Sequence, residues 1–101
     1  MQNQFDIVNM ASGGFALVLE PKSVWEQFPV FAKKWVKLLN AKPVSKEMIT
    51  VDECMLEVKI SNGLFWITYD DFQESIQLEP KDKLHNSIVL EIRNKLTKQD
   101  I

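Results

Sequence analysis

The sequence predicts a single α+β domain, a two-layer sandwich whose mainly antiparallel sheet of five or six strands carries two helices on one face, in the order ββαβββα. Three observations predict it. Two segments, near residues 23–40 and 80–98, repeat their apolar residues at helical spacing. Around them lie short alternating runs, separated by Gly13-Gly14 and Asn62-Gly63, pairs suited to turning one strand back on the next. Finally, the last two turns align their strands so that both leave the same apolar side to be covered.

The first strand pair is expected at Phe5–Met10 and Phe15–Leu19. A two-residue turn centred on Gly13-Gly14 sets Met10 opposite Leu17 and Val8 opposite Leu19. Ser23–Asn40 reads as the first helix. Ser23 and Glu26 have the spacing of a capping box, and Trp25, Phe28, Ala32, Trp35 or Val36, and Leu39 form its apolar stripe. Pro29 has no amide hydrogen and crowds the preceding turn, which predicts a kink or a short first turn before the helix proper.

Ile49 and Val51 alternate as a strand that turns near Asp52-Glu53 into Met55–Ile60. Asn62-Gly63 then closes a type I′ hairpin with Gly63 at positive φ, placing Ile60 opposite Phe65, Val58 opposite Ile67 and Leu56 opposite Tyr69. A loop over residues 70–73 sets Ile67 opposite Ile76 and Phe65 opposite Leu78. The last helix runs from about Pro80 to Lys98 on a stripe of Leu84, Ile88, Ile92 and Leu96, with Arg93, Lys95 and Lys98 toward the end that favours cations. The expected core is Phe65, Ile67, Ile76 and Leu78 beneath Phe28, Leu39, Ile88 and Ile92, with Trp25 and Trp35 also inside.

The 101 residues suit one core, and 46% hydrophobic with 26% charged residues is the composition of a chain that folds alone. No repeat or linker divides it. The net charge of −2 supplies no basic field for nucleic acid or anionic lipid. Charge is nonetheless uneven. Residues 22–46 hold six lysines against Glu26 alone, whereas residues 47–80 hold eight acids against Lys59. The two stretches are expected to attract one another weakly in the fold or to polarise its surface. One cysteine excludes an internal disulfide and a multi-cysteine zinc site. The N-terminal residues lack a basic and then apolar leader pattern, and no run is long enough to span a bilayer, so a cytoplasmic location is expected.

Candidate chemistry is sparse. Asp70, Asp71 and Glu74 are hard oxygen donors of the kind magnesium prefers, but acidic turn residues more commonly bond their own backbone. His85 is the single histidine, and Cys54 is placed on the helix-covered face with Leu56, where a thiol packs as an inert residue. No phosphate-binding glycine loop, HExxH or GxSxG is present. Lys33, Lys34 and Lys37 beside Trp35 read as the solvated side of a helix. Trp66 differs: alternation turns it away from the helices, with Lys59 and Gln77 as neighbours and Thr68, Ser75 and Glu57 alongside.

Two runs, Trp25-Glu26-Gln27-Phe28-Pro29-Val30-Phe31-Ala32 and Tyr69-Asp70-Asp71-Phe72 leading to Ser75-Ile76-Gln77-Leu78-Glu79-Pro80, resemble a family of small proteobacterial proteins, domain of unknown function 3630. The resemblance implies a bacterial origin and brings no activity, cofactor or catalytic residue. From the residues, the expected function is that of a small non-enzymatic binding or regulatory domain. It would act through the helix-free sheet face (Trp66, Lys59, Gln77, Thr68, Glu57) or by self-association, with a protein partner or a second copy and with no cofactor. The alternative is a small metal-dependent enzyme using the acidic loop.

Overall fold

The computed structural model describes residues 5–50 and 54–98. The expected strand residue Val51 and the Asp52-Glu53 turn lie outside the described residues. Among the described residues the sheet has seven short strands: β1 (Ile7–Asn9), β2 (Phe15–Glu20), β3 (Lys42–Pro43), β4 (Met48–Ile49), β5 (Cys54–Ile60), β6 (Gly63–Asp70) and β7 (Ser75–Pro80). Helix α1 is Phe28–Leu38 and α2 is Asn86–Lys98, each preceded by a single 3₁₀ turn, at Trp25–Gln27 and Lys83–His85. The strands lie in the order β1-β2-β7-β6-β5-β3, every pair antiparallel, with β4 following β3 along the outer edge of β5. That edge is blunted by its shortness, by Pro43 and by lysines. No helix among the described residues is long and apolar enough to cross a membrane.

Both helices pack on one face. Phe28, Ala32 and Trp35 of α1 and Val89, Ile92 and Leu96 of α2 join Leu17, Leu56, Val58, Phe65, Ile67, Ile76 and Leu78 in one buried cluster. Each fully buried Val, Leu, Ile or Phe among them contributes about 1.5–3 kcal/mol. Leu39 and Ile88, expected in the core, are partly buried against it. Trp25 and Leu84 are not in it at all: they are 42% and 78% exposed, because each falls in a 3₁₀ turn whose threefold period rotates it off the helical stripe.

Pro29 sits in the first turn of α1, where an amide hydrogen has no helical partner, so the helix proper begins there and not at Ser23. The expected capping box is not formed by Glu26. The side chain that reaches back is Gln27, whose Oε1 lies 3.5 Å from the amide of Val24. The C-terminus closes as a Schellman motif. Asn40 takes φ 52°, and the amides of Asn40 and Ala41 donate to Lys37 and Val36 carbonyls at 3.1 and 2.9 Å.

The three hairpins depart from their expected registers. Between β1 and β2, Met10 and Gly14 pair around three loop residues with Gly13 at φ 92°, a type I turn with a glycine bulge. Ile7 therefore faces Leu17 and Val8 faces Ala16. This is a shift of three, an odd number, which exchanges the faces: Ile7, not Val8, turns toward the core. In the other two hairpins the shift is two. Val58 pairs with Phe65 and Leu56 with Ile67, while Ile67 pairs with Leu78 and Tyr69 with Ile76. An even shift leaves every side chain on its expected face.

The β5–β6 turn explains its own shift. Ser61, at φ 53°, takes the left-handed position, and Gly63 pairs with Ile60 as a strand residue without positive φ. Gly63 is required for space. A Cβ there would lie 2.9 Å from Cε1 of Phe65 and 3.1 Å from Cγ of His85. Between β2 and β7, an irregularity between Val18 and Glu20 re-aims Glu20 toward the helices, where its Oε2 accepts from Nε1 of buried Trp35 at 2.7 Å and from Nζ of Lys34 at 2.8 Å.

Candidate functional site

The helix-free face is built by the alternate residues of the same strands, and the even register shift changes which of them meet. Trp66 lies directly between Glu57 on β5 and Glu79 on β7. Lys59 is opposite Leu64 and Gln77 opposite Thr68, so the expected cation and amide beside the indole are replaced by two carboxylates. The amide of Lys81 donates to Leu64 O at 3.0 Å, continuing the ladder past β7. From there the Lys81 ammonium lies 4.9 Å from the Trp66 ring centroid and 2.8 Å from Oε2 of Glu57. A half-exposed cation over an indole contributes about 0.5–1 kcal/mol, and such an ion pair about as much or less.

On the other side of the indole, Thr68 Oγ1 donates to Oε2 of Glu79 at 3.0 Å. Burial pushes the Glu79 carboxyl above its ordinary value and the charge of Asp70 adds to this, while the Thr68 hydrogen bond opposes it. Farther in, Gln77 Nε2 donates to Ser75 Oγ at 3.0 Å and to Gln73 Oε1 at 3.2 Å. Gln77 and Thr68 are buried, at 2% and 8% exposure. Of the five residues expected to form the surface, Lys59 is therefore exposed, Trp66 and Glu57 are partly exposed, and Thr68 and Gln77 support them from within. Sequence reasoning missed Glu79 and Lys81. The correct hairpin offset would have found Glu79, and Lys81 one residue past the strand end had no periodic signal.

The acidic loop is occupied with its own backbone. Asp70 pairs with Ser75, and its Oδ1 accepts from the amides of Phe72 and Gln73 at 2.8 and 3.2 Å. Among the described residues no group of three or more His, Cys, Asp or Glu side chains is placed to hold a metal ion. Desolvation, followed by repulsion from Glu74, Asp71 and Glu26, raises the neighbouring Tyr69 hydroxyl.

Cys54 and His85 are not brought together. Cys54 is buried at the start of β5, its thiol pushed up by burial and then by the charge of Glu47. His85 packs on Gly63 and Phe65 at the far end of the same hairpin, its Nδ1 buried without a hydrogen-bond partner among the described residues. The neighbouring Asn86 ties α2 to the first hairpin, its Oδ1 accepting from the amide of Phe15 at 2.9 Å and its Nδ2 donating to Gly13 O at 3.0 Å. A surface depression of about 450 Å³ lies where α1 passes the edge strands, lined by Ala32, Lys33, Val36, Pro43, Ser45, Lys46, Glu47 and Leu56. No family model, curated protein or solved structure matches the chain.

Proposed function

We propose that this chain is a small non-enzymatic binding or regulatory domain of the bacterial cytoplasm that engages a protein partner through the helix-free face of its sheet, centred on Trp66. The observation that carries the reading is the frame around the indole: a partly exposed ring between two carboxylates, with the Lys81 ammonium held over it. An aromatic with large area, fixed by its neighbours and bordered by charge, has the make-up of an interface hot spot. The bacterial setting rests on the resemblance of the runs 25–32 and 69–80 alone.

The test compares wild type with Trp66→Ala and with Glu57→Gln in quantitative pull-downs from an extract of the source organism, after checking that denaturant midpoints agree. A partner retained by wild type and lost with Trp66→Ala supports the reading. Identical retained sets for wild type and Trp66→Ala would leave the face a solvated surface.

A further inference from the structure

Phe72 is completely exposed. It stands at the tip of the four-residue loop between β6 and β7, and that loop is held from several sides. Asp70 Oδ1 takes the amides of Phe72 and Gln73, Gln73 Oε1 accepts from Gln77, and the amide of Ser23 donates to Glu74 O at 2.8 Å. A bare aromatic ring is thus presented on a fixed backbone, flanked by the exposed acids Asp71 and Glu74. Loop ordering, ordinarily a cost of association, is already met in the free chain.

The chain also carries the counterpart. The depression between α1 and the edge strands has an apolar floor of Ala32, Val36, Pro43 and Leu56, and Lys33 and Lys46 stand exposed at its rim, with Glu47 and Ser45 completing it. Its volume of about 450 Å³ accommodates a phenyl ring. The uneven charge of the sequence bears on this. The ion pairs among the described residues are Lys34 with Glu20 and Lys81 with Glu57, and neither joins the lysines of residues 22–46 to the acids of residues 47–80. No ion pair among the described residues closes between the two stretches, although Glu47 shares the rim with Lys33 and Lys46, and lysines and acids are each left beside an apolar feature.

We propose that the Phe72 loop of one copy seats in this depression on a second copy, the ring on the apolar floor and Asp71 and Glu74 against Lys33 and Lys46. Tip and depression are different surfaces of the same chain, so the contact is reciprocal in a closed pair or repeats along an open series. It is independent of Trp66.

Sedimentation of the full chain from micromolar to millimolar concentration, at low and high salt, tests the contact. Wild type is expected to associate, more weakly as salt rises. Phe72→Ser alone and the Lys33→Glu, Lys46→Glu double variant alone are expected to associate at least tenfold more weakly, with unchanged denaturant midpoints because all three positions are exposed. Mixing them should restore association in part, through one intact contact per mixed pair, since the first keeps an intact depression and the second an intact tip. Trp66→Ala should associate as wild type does. A wild type that stays monomeric throughout, including one whose Phe72 serves a different protein, overturns the proposal. So does association unaffected by Phe72→Ser, or a mixture that restores nothing.

Discussion

The two faces of this sheet are made by alternate residues of the same strands, yet different physics holds them. Beneath the helices, Val58, Phe65, Ile67, Ile76 and Leu78 are fully buried and interact through area and shape, which have no preferred partner. On the other face Glu57, Trp66, Thr68, Glu79 and Lys81 meet through directed bonds: an ion pair, a cation over a ring, a hydroxyl to a carboxylate. The covered face therefore depends on which side a residue is on, and the free face on who its neighbour is.

The largest expected effect breaks the covered face. Ile67→Ala removes a fully buried side chain and leaves a cavity, and should lower stability by about 2–5 kcal/mol in denaturant unfolding. A loss below about 1 kcal/mol would mean this face is not the core. Next comes overpacking at its edge. Gly63→Val, with its Cβ forced against the ring of Phe65, should cost about 1–3 kcal/mol, and Gly63→Ala should share most of that loss. Were Gly63 needed for backbone freedom instead, an asparagine would be tolerated where alanine is not.

Between the two regimes stands Glu20, a charged residue turned inward by the irregularity in β2. Glu20→Ala orphans the indole N–H of Trp35, which is 2% exposed, and should cost about 1–3 kcal/mol. Glu20→Gln keeps an acceptor and should recover most of it. Equal losses in both variants would assign the effect to charge with Lys34 rather than to the buried hydrogen bond. Smaller again is Lys81→Ala on the free face, about 1 kcal/mol or less, and measurable as a coupling with Glu57→Gln that shrinks as salt is added.

The same contrast explains what could be read from the sequence. Alternation places Phe65, Ile67, Ile76 and Leu78 on the covered face despite hairpin offsets wrong by two residues, because an even error preserves sides. It cannot preserve neighbours, so Trp66 is assigned Lys59 and Gln77 in place of Glu57 and Glu79. The odd error in the first hairpin does exchange sides, since Gly13 serves as a bulge and not as half of a two-residue turn. Trp25 and Leu84 are misplaced because a periodic pattern does not announce a 3₁₀ turn. Strand order, with β7 inserted beside β2, follows from packing between distant segments and has no local signal.

The subtlest effect separates the two carboxylates that flank Trp66. Glu57 is compensated by Lys81, whereas Glu79 takes the Thr68 hydroxyl and no cation among the described residues, and burial with the charge of Asp70 raises its carboxyl. Unfolded, a glutamate titrates at about 4.3. A folded value raised above this means the folded state holds the proton more readily. The contribution to stability is therefore fully present below the unfolded value and is lost as pH rises through the folded one. At neutral pH the ionised Glu79 is thus a net burden on folding. Glu79→Gln keeps an oxygen for Thr68 and removes the charge, so its denaturant midpoint should exceed that of wild type at neutral pH, with the gap closing as pH falls through the carboxylate range. Glu57→Gln should behave oppositely at neutral pH, losing the Lys81 ion pair. If Glu79→Gln is the less stable protein at neutral pH, or if its advantage does not change with pH, the charge of Glu79 is better solvated than its position beside Trp66 implies, and the free face is held by contacts other than these.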